Sequence, residues 1–182
     1  MSSGSPHHGA DWPQDIHRVL EEGNVHLVPY VPDAGHKRLI ELCHDGPTMR
    51  AVPLTTEEEG VGLAMGAWLG GRRTVLLLQS SGVGNLVNTL GAMRECRFPL
   101  VMLVTMRGEH GEFNPWQVPM GQATESILRE MGVVVERVGD AVAVGGAVEA
   151  ALRLAYRSYS VVAVLISQGL VGIKSFQEQA NS

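Results

Sequence analysis

Three unbroken apolar runs, at residues 74–79 (TVLLLQ), 100–105 (LVMLVT) and 161–166 (VVAVLI), limit what this chain can fold into. Each is too short for a buried helix and rich in β-branched or aliphatic residues. Glycine, serine or proline bounds each of them. A strand without polar alternation is buried on both faces, which is the situation of a strand inside a parallel sheet. Parallel neighbours need crossover connections, and helix-length segments separate the three runs. The sequence therefore predicts an α/β fold: a single doubly wound domain with a six-stranded, mainly parallel sheet and helices on both faces.

The rest of the chain supplies the other elements. Asp11 caps a helix over 12–22, with Pro13 in its first turn. A strand follows over 25–31. Asp33 opens a helix to about 44, and 49–54 is a short strand. Thr55 or Thr56 begins a helix that stops at Gly70-Gly71, with Thr56 and Glu59 spaced as a capping box. After strand 74–79, a glycine-rich turn over 80–84 leads into a helix over 85–96. After strand 100–105, a long polar connection runs from 106 to 122. A helix to about 131, a strand over 133–137, a helix over 141–156 and the strand over 161–166 complete the pattern. Residues 1–11 read as a flexible N-terminal tail, 12–168 as the domain, and 169–182 as a C-terminal tail. His7-His8 in the first tail reads as solvated.

Composition excludes several function classes. With 14 Lys+Arg against 19 Asp+Glu, the formal charge of −5 argues against a nucleic-acid binder. The longest run of apolar residues and glycine, 61–71, is too short to span a bilayer, and residues 1–11 hold no secretory apolar run. No membrane partner is expected. Two cysteines, Cys43 and Cys96, make neither a disulfide framework nor a four-thiolate metal site. Both are expected as buried, reduced thiols of a cytoplasmic protein. HExxH, Gly-x-Ser-x-Gly, P-loop and complete Gly-x-Gly-x-x-Gly signatures are missing, as is His/Cys metal spacing.

Ligands of open parallel sheets bind beyond the carboxyl ends of the strands, and three segments there carry unusual chemistry. In the first, Glu57-Glu58-Glu59 begins a helix whose Gly62, Gly66 and Gly70 recur on one face. Acidic residues in a first turn complement the helix dipole. Three glycines, however, weaken a helix by about 1 kcal/mol each relative to alanine, so their face must gain from close approach by another helix, subunit or flat ligand. In the second, Gln79-Ser80-Ser81-Gly82-Val83-Gly84-Asn85 joins a buried strand to a helix, where glycines admit a ligand to the backbone and free amides favour anions. The third, over 107–117, is long, polar and aromatic-tipped, and its Arg107 and His110 suit an anionic group.

In this order and spacing, the segments over 54–69, 78–85 and 117–121 resemble the pyrimidine-binding (PYR) domain of thiamine-diphosphate enzymes. The likeness is nearest to the decarboxylases of sulfopyruvate and phosphonopyruvate and covers roughly 12–168. The resemblance implies that a glutamate at a helix start hydrogen-bonds N1′ of the cofactor's aminopyrimidine. That glutamate stands nine positions before a helix glycine, and counting back from Gly66 gives Glu57. It also implies that Gly82, Val83, Gly84 and Asn85 lie near the reacting end of the cofactor.

Enzymes of this class need a second, PP domain, which binds magnesium and diphosphate through a Gly-Asp-Gly stretch. The nearest string here is Gly139-Asp140-Ala141, at a helix start with little chain behind it. The resemblance therefore implies no metal site on this chain. It implies thiamine diphosphate shared with a separate beta subunit that holds Mg²⁺, in a hetero-oligomer such as α2β2 or larger. The glycine-striped helix would lie in or near that interface. The implied activity is decarboxylation of a 2-oxo acid, a 3-anionic pyruvate such as sulfopyruvate or phosphonopyruvate. Two alternatives are a non-catalytic scaffold or regulatory subunit of the same fold and a subunit that ligates the substrate carbon to an aldehyde.

Overall fold

A computed structural model describes residues 11–172. Six strands form one sheet: β1 (Val25–Tyr30), β2 (Arg50–Pro53), β3 (Arg73–Gln79), β4 (Leu100–Thr105), β5 (Val134–Val138) and β6 (Val161–Ile166). Their order is β2-β1-β3-β4-β6-β5, and every neighbouring pair is parallel. Seven α-helices accompany them: α1 (Trp12–Glu22), α2 (Lys37–Asp45), α3 (Glu57–Leu69), α4 (Val87–Glu95), α5 (Val118–Glu130), α6 (Val144–Ser158) and the short α7 (Gln168–Val171). None of these is long and apolar enough to cross a membrane.

The apolar runs behave as a parallel sheet requires. Successive side chains of a strand point to opposite faces. In β3, Val75 and Leu77 join a core formed with α1, α2 and α6, while Leu76 and Leu78 join the one formed with α3, α4 and α5. β4 and β6 divide in the same way, and all six residues of each are buried. Two cores thus sandwich one sheet. Tyr156 of α6 ties them to the strand start, its hydroxyl donating to Thr74 O and accepting from Thr74 N, both at 2.7 Å. Burial pushes that phenol up to about 12.

Several boundaries differ from the sequence-based expectation for local reasons. The second helix begins at Lys37, not Asp33, because the Asp33 carboxylate accepts from Gln79 and Thr105 instead of capping. The fourth begins at Val87, after a 3-10 turn over Ser80–Asn85. The fifth begins at Val118, so the polar connection is shorter than 106–122. Asn114 accepts the Trp116 amide, and Pro115 and Pro119 occupy first-turn positions of the 3-10 turn Pro115–Gln117 and of α5. Glu59 does reach back, but to the Thr55 amide and hydroxyl, and Thr56 makes no side-chain cap. Cys43 is buried, its thiol pushed up to about 12 by burial. Cys96 corrects the expectation: it is exposed, because α4 ends at Glu95 and the chain turns away through a left-handed Arg97. The tail histidines His7-His8 fall outside the described residues.

Candidate active site

The carboxyl ends of the strands gather two polar groups. The first forms where α3 and the Ser80–Asn85 turn start beside each other. Glu57 is the first residue of α3, with only 7% of its surface exposed. An ionised carboxylate in such a place needs compensation. The positive end of α3 supplies part of it. Asn85 supplies the rest, its Nδ2 donating to Glu57 Oε2 at 2.7 Å. No other donor among the described residues bonds this carboxylate, so Oε1 can accept from a group outside the chain.

Gly82 makes the arrangement possible. A side-chain carbon built there would overlap Glu57 Oε1, Cδ and Cγ. Only glycine lets the turn run directly under the carboxylate. Val83 is fully buried in the α3–α5 core, so its side chain anchors the turn from below and only its backbone can face outward. Gly84 and Asn85 are exposed, and Gly84 lies beside Met120 of α5. Of the three consecutive glutamates, only Glu57 turns in. Glu58 is exposed, and Glu59 holds Thr55, which keeps the Glu59 carboxyl below its usual range. The structure thus brings together Glu57, Gly82 and Asn85, residues separated by up to 28 positions. They fit the aminopyrimidine end of thiamine diphosphate, a flat ring whose N1′ can share a proton with a carboxylate.

The second group is the 107–117 loop. Arg107 makes a two-pronged ion pair with Glu112, Nε to Oε2 at 2.7 Å and Nη2 to Oε1 at 2.5 Å, and its guanidinium lies 5.5 Å from the centre of the Phe113 ring. Glu112 also accepts from the amides of Gly108 and Asn114 and from Gln168 Nε2. This carboxylate, 1% exposed, is the hub of the loop. Sequence reasoning missed it: a glutamate five residues after an arginine in a polar stretch carries no signal of burial. It missed Gln168 too, whose 3% exposure follows from bonding the loop at both ends. His110 is exposed and stands outside the Glu57–Asn85 pair. Arg107 meets the first group only through its amide, which donates to Ser80 Oγ at 3.0 Å.

The Glu112 hub has a pH consequence. Arg107 and the loop amides hold its carboxyl down to about 2, against an ordinary 4.5. A carboxyl depressed on folding adds stability above its unfolded value and loses it as pH falls toward its folded value. Thermal melts of the wild type and Glu112→Gln from pH 7 to 2 should differ most above pH 5, and the gap should narrow as pH falls from about 4.5 toward 2. A gap independent of pH would contradict the assignment.

The comparisons with known proteins follow this geometry. Residues 13–126 match the family described as "Thiamine pyrophosphate enzyme, N-terminal TPP binding domain", a span that contains both polar groups except Gln168. The sulfopyruvate decarboxylase subunit alpha of Methanococcus maripaludis is 34% identical over 119 residues, 65% of this chain and 71% of that one. The same subunit of Methanothermobacter thermautotrophicus is 38% identical over 120 residues, 65% of this chain and 73% of that one. The phosphonopyruvate decarboxylase of Streptomyces viridochromogenes is 36% identical over 106 residues, 57% of this chain but 27% of that one. Among solved structures, a 2-oxoglutarate:ferredoxin oxidoreductase from Magnetococcus marinus superposes with a TM-score of 0.69 at 14% identity, over 88% of this chain and 29% of that one. That last likeness concerns the fold alone.

Proposed function

The chain belongs to the thiamine pyrophosphate enzyme N-terminal domain family, and from that premise we propose that it is the alpha, pyrimidine-binding subunit of a heteromeric 2-oxo acid decarboxylase. Its substrate would be a pyruvate bearing a sulfonate or phosphonate at C3. One observation carries the reading: the buried Glu57 carboxylate, held by Asn85 above Gly82, with one oxygen left to accept. The names of the sulfopyruvate and phosphonopyruvate decarboxylases among its relatives support the substrate class.

When bound, thiamine diphosphate supplies the electron sink that takes up the electron pair released as carbon dioxide departs. The residues of this chain would then do the following. Glu57 accepts the hydrogen of the ring nitrogen and shares that proton with it. Asn85 fixes the carboxylate, and the backbone of Gly82, Val83 and Gly84 gives the ring a close floor. For the anionic group at C3, the candidates are His110 and the Arg107 guanidinium, whose Nη1 makes no hydrogen bond among the described residues. Glu112 takes the Nε–Nη2 side of that guanidinium, so Arg107 would meet sulfonate or phosphonate oxygens through Nη1.

The diphosphate half of the cofactor and its Mg²⁺ are assigned to a separate beta subunit, in an assembly of α2β2 or larger. Three relatives named as alpha subunits support a separate partner. Asp140, in the string nearest to a Gly-Asp-Gly stretch, accepts from the Val142 amide and caps the 3-10 turn Ala141–Ala143. The outer face of α3 supports the place of the interface. Gly60 is the helix glycine that packs on the sheet, where a side-chain carbon would meet Leu76 Cδ1 at 2.6 Å. Gly62 and Gly66 have nothing within 4 Å, and Leu69 is 78% exposed. These glycines weaken the helix with no return among the described residues. Gly62→Ala and Gly66→Ala should each stabilise the isolated chain by about 1 kcal/mol. They should also weaken assembly with the beta subunit, by a factor readable in sedimentation. Unchanged association would place the interface elsewhere. A cytoplasmic location belongs to the same reading.

The direct test mixes the full chain with a diphosphate-binding subunit, Mg²⁺ and thiamine diphosphate, and follows carbon dioxide from sulfopyruvate and phosphonopyruvate. Neither chain alone should turn over. A partner equally active without this chain would make it a scaffold. A product formed only with added aldehyde would make the pair a ligase of carbon units.

A further inference from the structure

Glu57 and Asn85 are useful only if the Ser80–Asn85 turn stays in place beneath them, and what anchors that turn lies on the other face of the sheet. Asp33, in the loop after β1, is half-buried and carries no capping role. Its Oδ2 accepts from the hydroxyl of the fully buried Thr105 at the end of β4, at 2.5 Å. Its Oδ1 accepts from Gln79 Nε2 at 3.0 Å. The Gln79 side chain passes the connection on, its Oε1 accepting from Ser81 Oγ at 2.8 Å. Ser81 is the residue before Gly82. One hydrogen-bonded chain therefore runs Thr105, Asp33, Gln79, Ser81 and ends at the glycine under the Glu57 carboxylate. From the opposite side, Ser80 is held by the Arg107 amide and by the Thr124 hydroxyl.

We infer that Asp33 is a positioning residue for this site, acting through Gln79 and Ser81 to set the Ser80–Asn85 turn against Glu57. A charged acceptor makes the strongest link in such a chain, and a bond to a charged group is the one whose loss is most felt. The Gln79 amide suits the middle of the chain because it donates to the acid and accepts from the serine at once. The inference rests on the proposed function for its catalytic consequence, but its geometric part concerns the free chain.

The test has two arms. In the isolated full chain, hydrogen exchange of the turn amides, Leu86 N–H to Val83 O among them, should quicken about tenfold in Asp33→Ala and Gln79→Leu. Amides within β4 should stay as in the wild type. In the assembled decarboxylase with Mg²⁺ and thiamine diphosphate, kcat should fall about tenfold while KM for the 2-oxo acid stays within about twofold. Asp33→Asn should restore both, since its Oδ1 still accepts from Gln79 and the Thr105 hydroxyl can turn to accept from Nδ2. Should Asp33→Ala fail to fold, Ser81→Ala removes only the last link and should still quicken the turn at least about threefold. Unchanged exchange in Gln79→Leu and Ser81→Ala overturns the inference. So does a raised KM in Asp33→Ala with a wild-type turn, which would make Asp33 a substrate contact, and so does an Asp33→Asn variant no better than alanine. The exchange arm needs neither partner nor cofactor, so a failed decarboxylase reading leaves it standing.

Discussion

Glu57→Gln, assembled with the beta subunit, Mg²⁺ and thiamine diphosphate, should lose about 10²- to 10⁴-fold in carbon dioxide release, the range of a single proton-transfer group. The exchange is nearly isosteric. The amide oxygen can still take the Asn85 hydrogen bond, so the turn need not move. What the amide cannot do is hold a proton in partnership with a ring nitrogen. The same change should leave the melting temperature of the isolated chain unchanged or raise it. Glu57 is 7% exposed and receives one hydrogen bond, so replacing its charge by a neutral group removes a desolvation cost. Activity and stability should therefore move in opposite directions, a pattern typical of functional groups held at the expense of the fold. Activity within about threefold of wild type would end the role assigned to Glu57.

How much of this was legible in the sequence depends on what kind of interaction set each feature. The sheet was legible because TVLLLQ, LVMLVT and VVAVLI have no reading other than strands covered on both faces, and each proved buried along its length, β3 at its middle five positions. Helix starts were less legible. They depend on which partner a side chain finds in three dimensions, and Asp33 and Glu59 found partners other than those local spacing suggested. The exposed Cys96 escaped for the same reason, since a chain reversal at Arg97 decided it.

The site itself divides along the same line. Glu57, Gly82 and Asn85 were named from the sequence by resemblance, and the fold brings these three together. Counting nine positions back from Gly66 picked the first of three consecutive glutamates, and that one is buried while its two neighbours are exposed. Glu112 and Gln168 carried no sequence signal of their own, because a polar side chain looks solvated until its partners are known. The stripe of Gly62, Gly66 and Gly70 was read as a face of close approach. Among the described residues nothing lies within 4 Å of a side-chain carbon placed at Gly62 or Gly66, which is why the proposed function gives that face to the beta subunit.

Gly82→Ala should damage the site far beyond what one added methyl group suggests. The new carbon would overlap the Glu57 carboxylate, and neither side yields easily. The turn is fixed by Ser80 and Ser81, the carboxylate by Asn85 and by its place on α3. Overpacking of this kind costs about 1–3 kcal/mol, which lowers the melting temperature of a chain this long by several degrees, at about 2–4 °C per kcal/mol. A displaced carboxylate should cost the assembled enzyme about 10²-fold or more in turnover. A double-variant cycle separates this clash from a general defect. Glu57→Ala removes the obstructing atoms, so in that background Gly82→Ala should destabilise by no more than about 0.5 kcal/mol, the non-additivity expected of groups in direct contact. Melts of the four chains supply the coupling. If the two substitutions instead add, Gly82 and Glu57 do not touch, and the pairing on which the site was built is wrong.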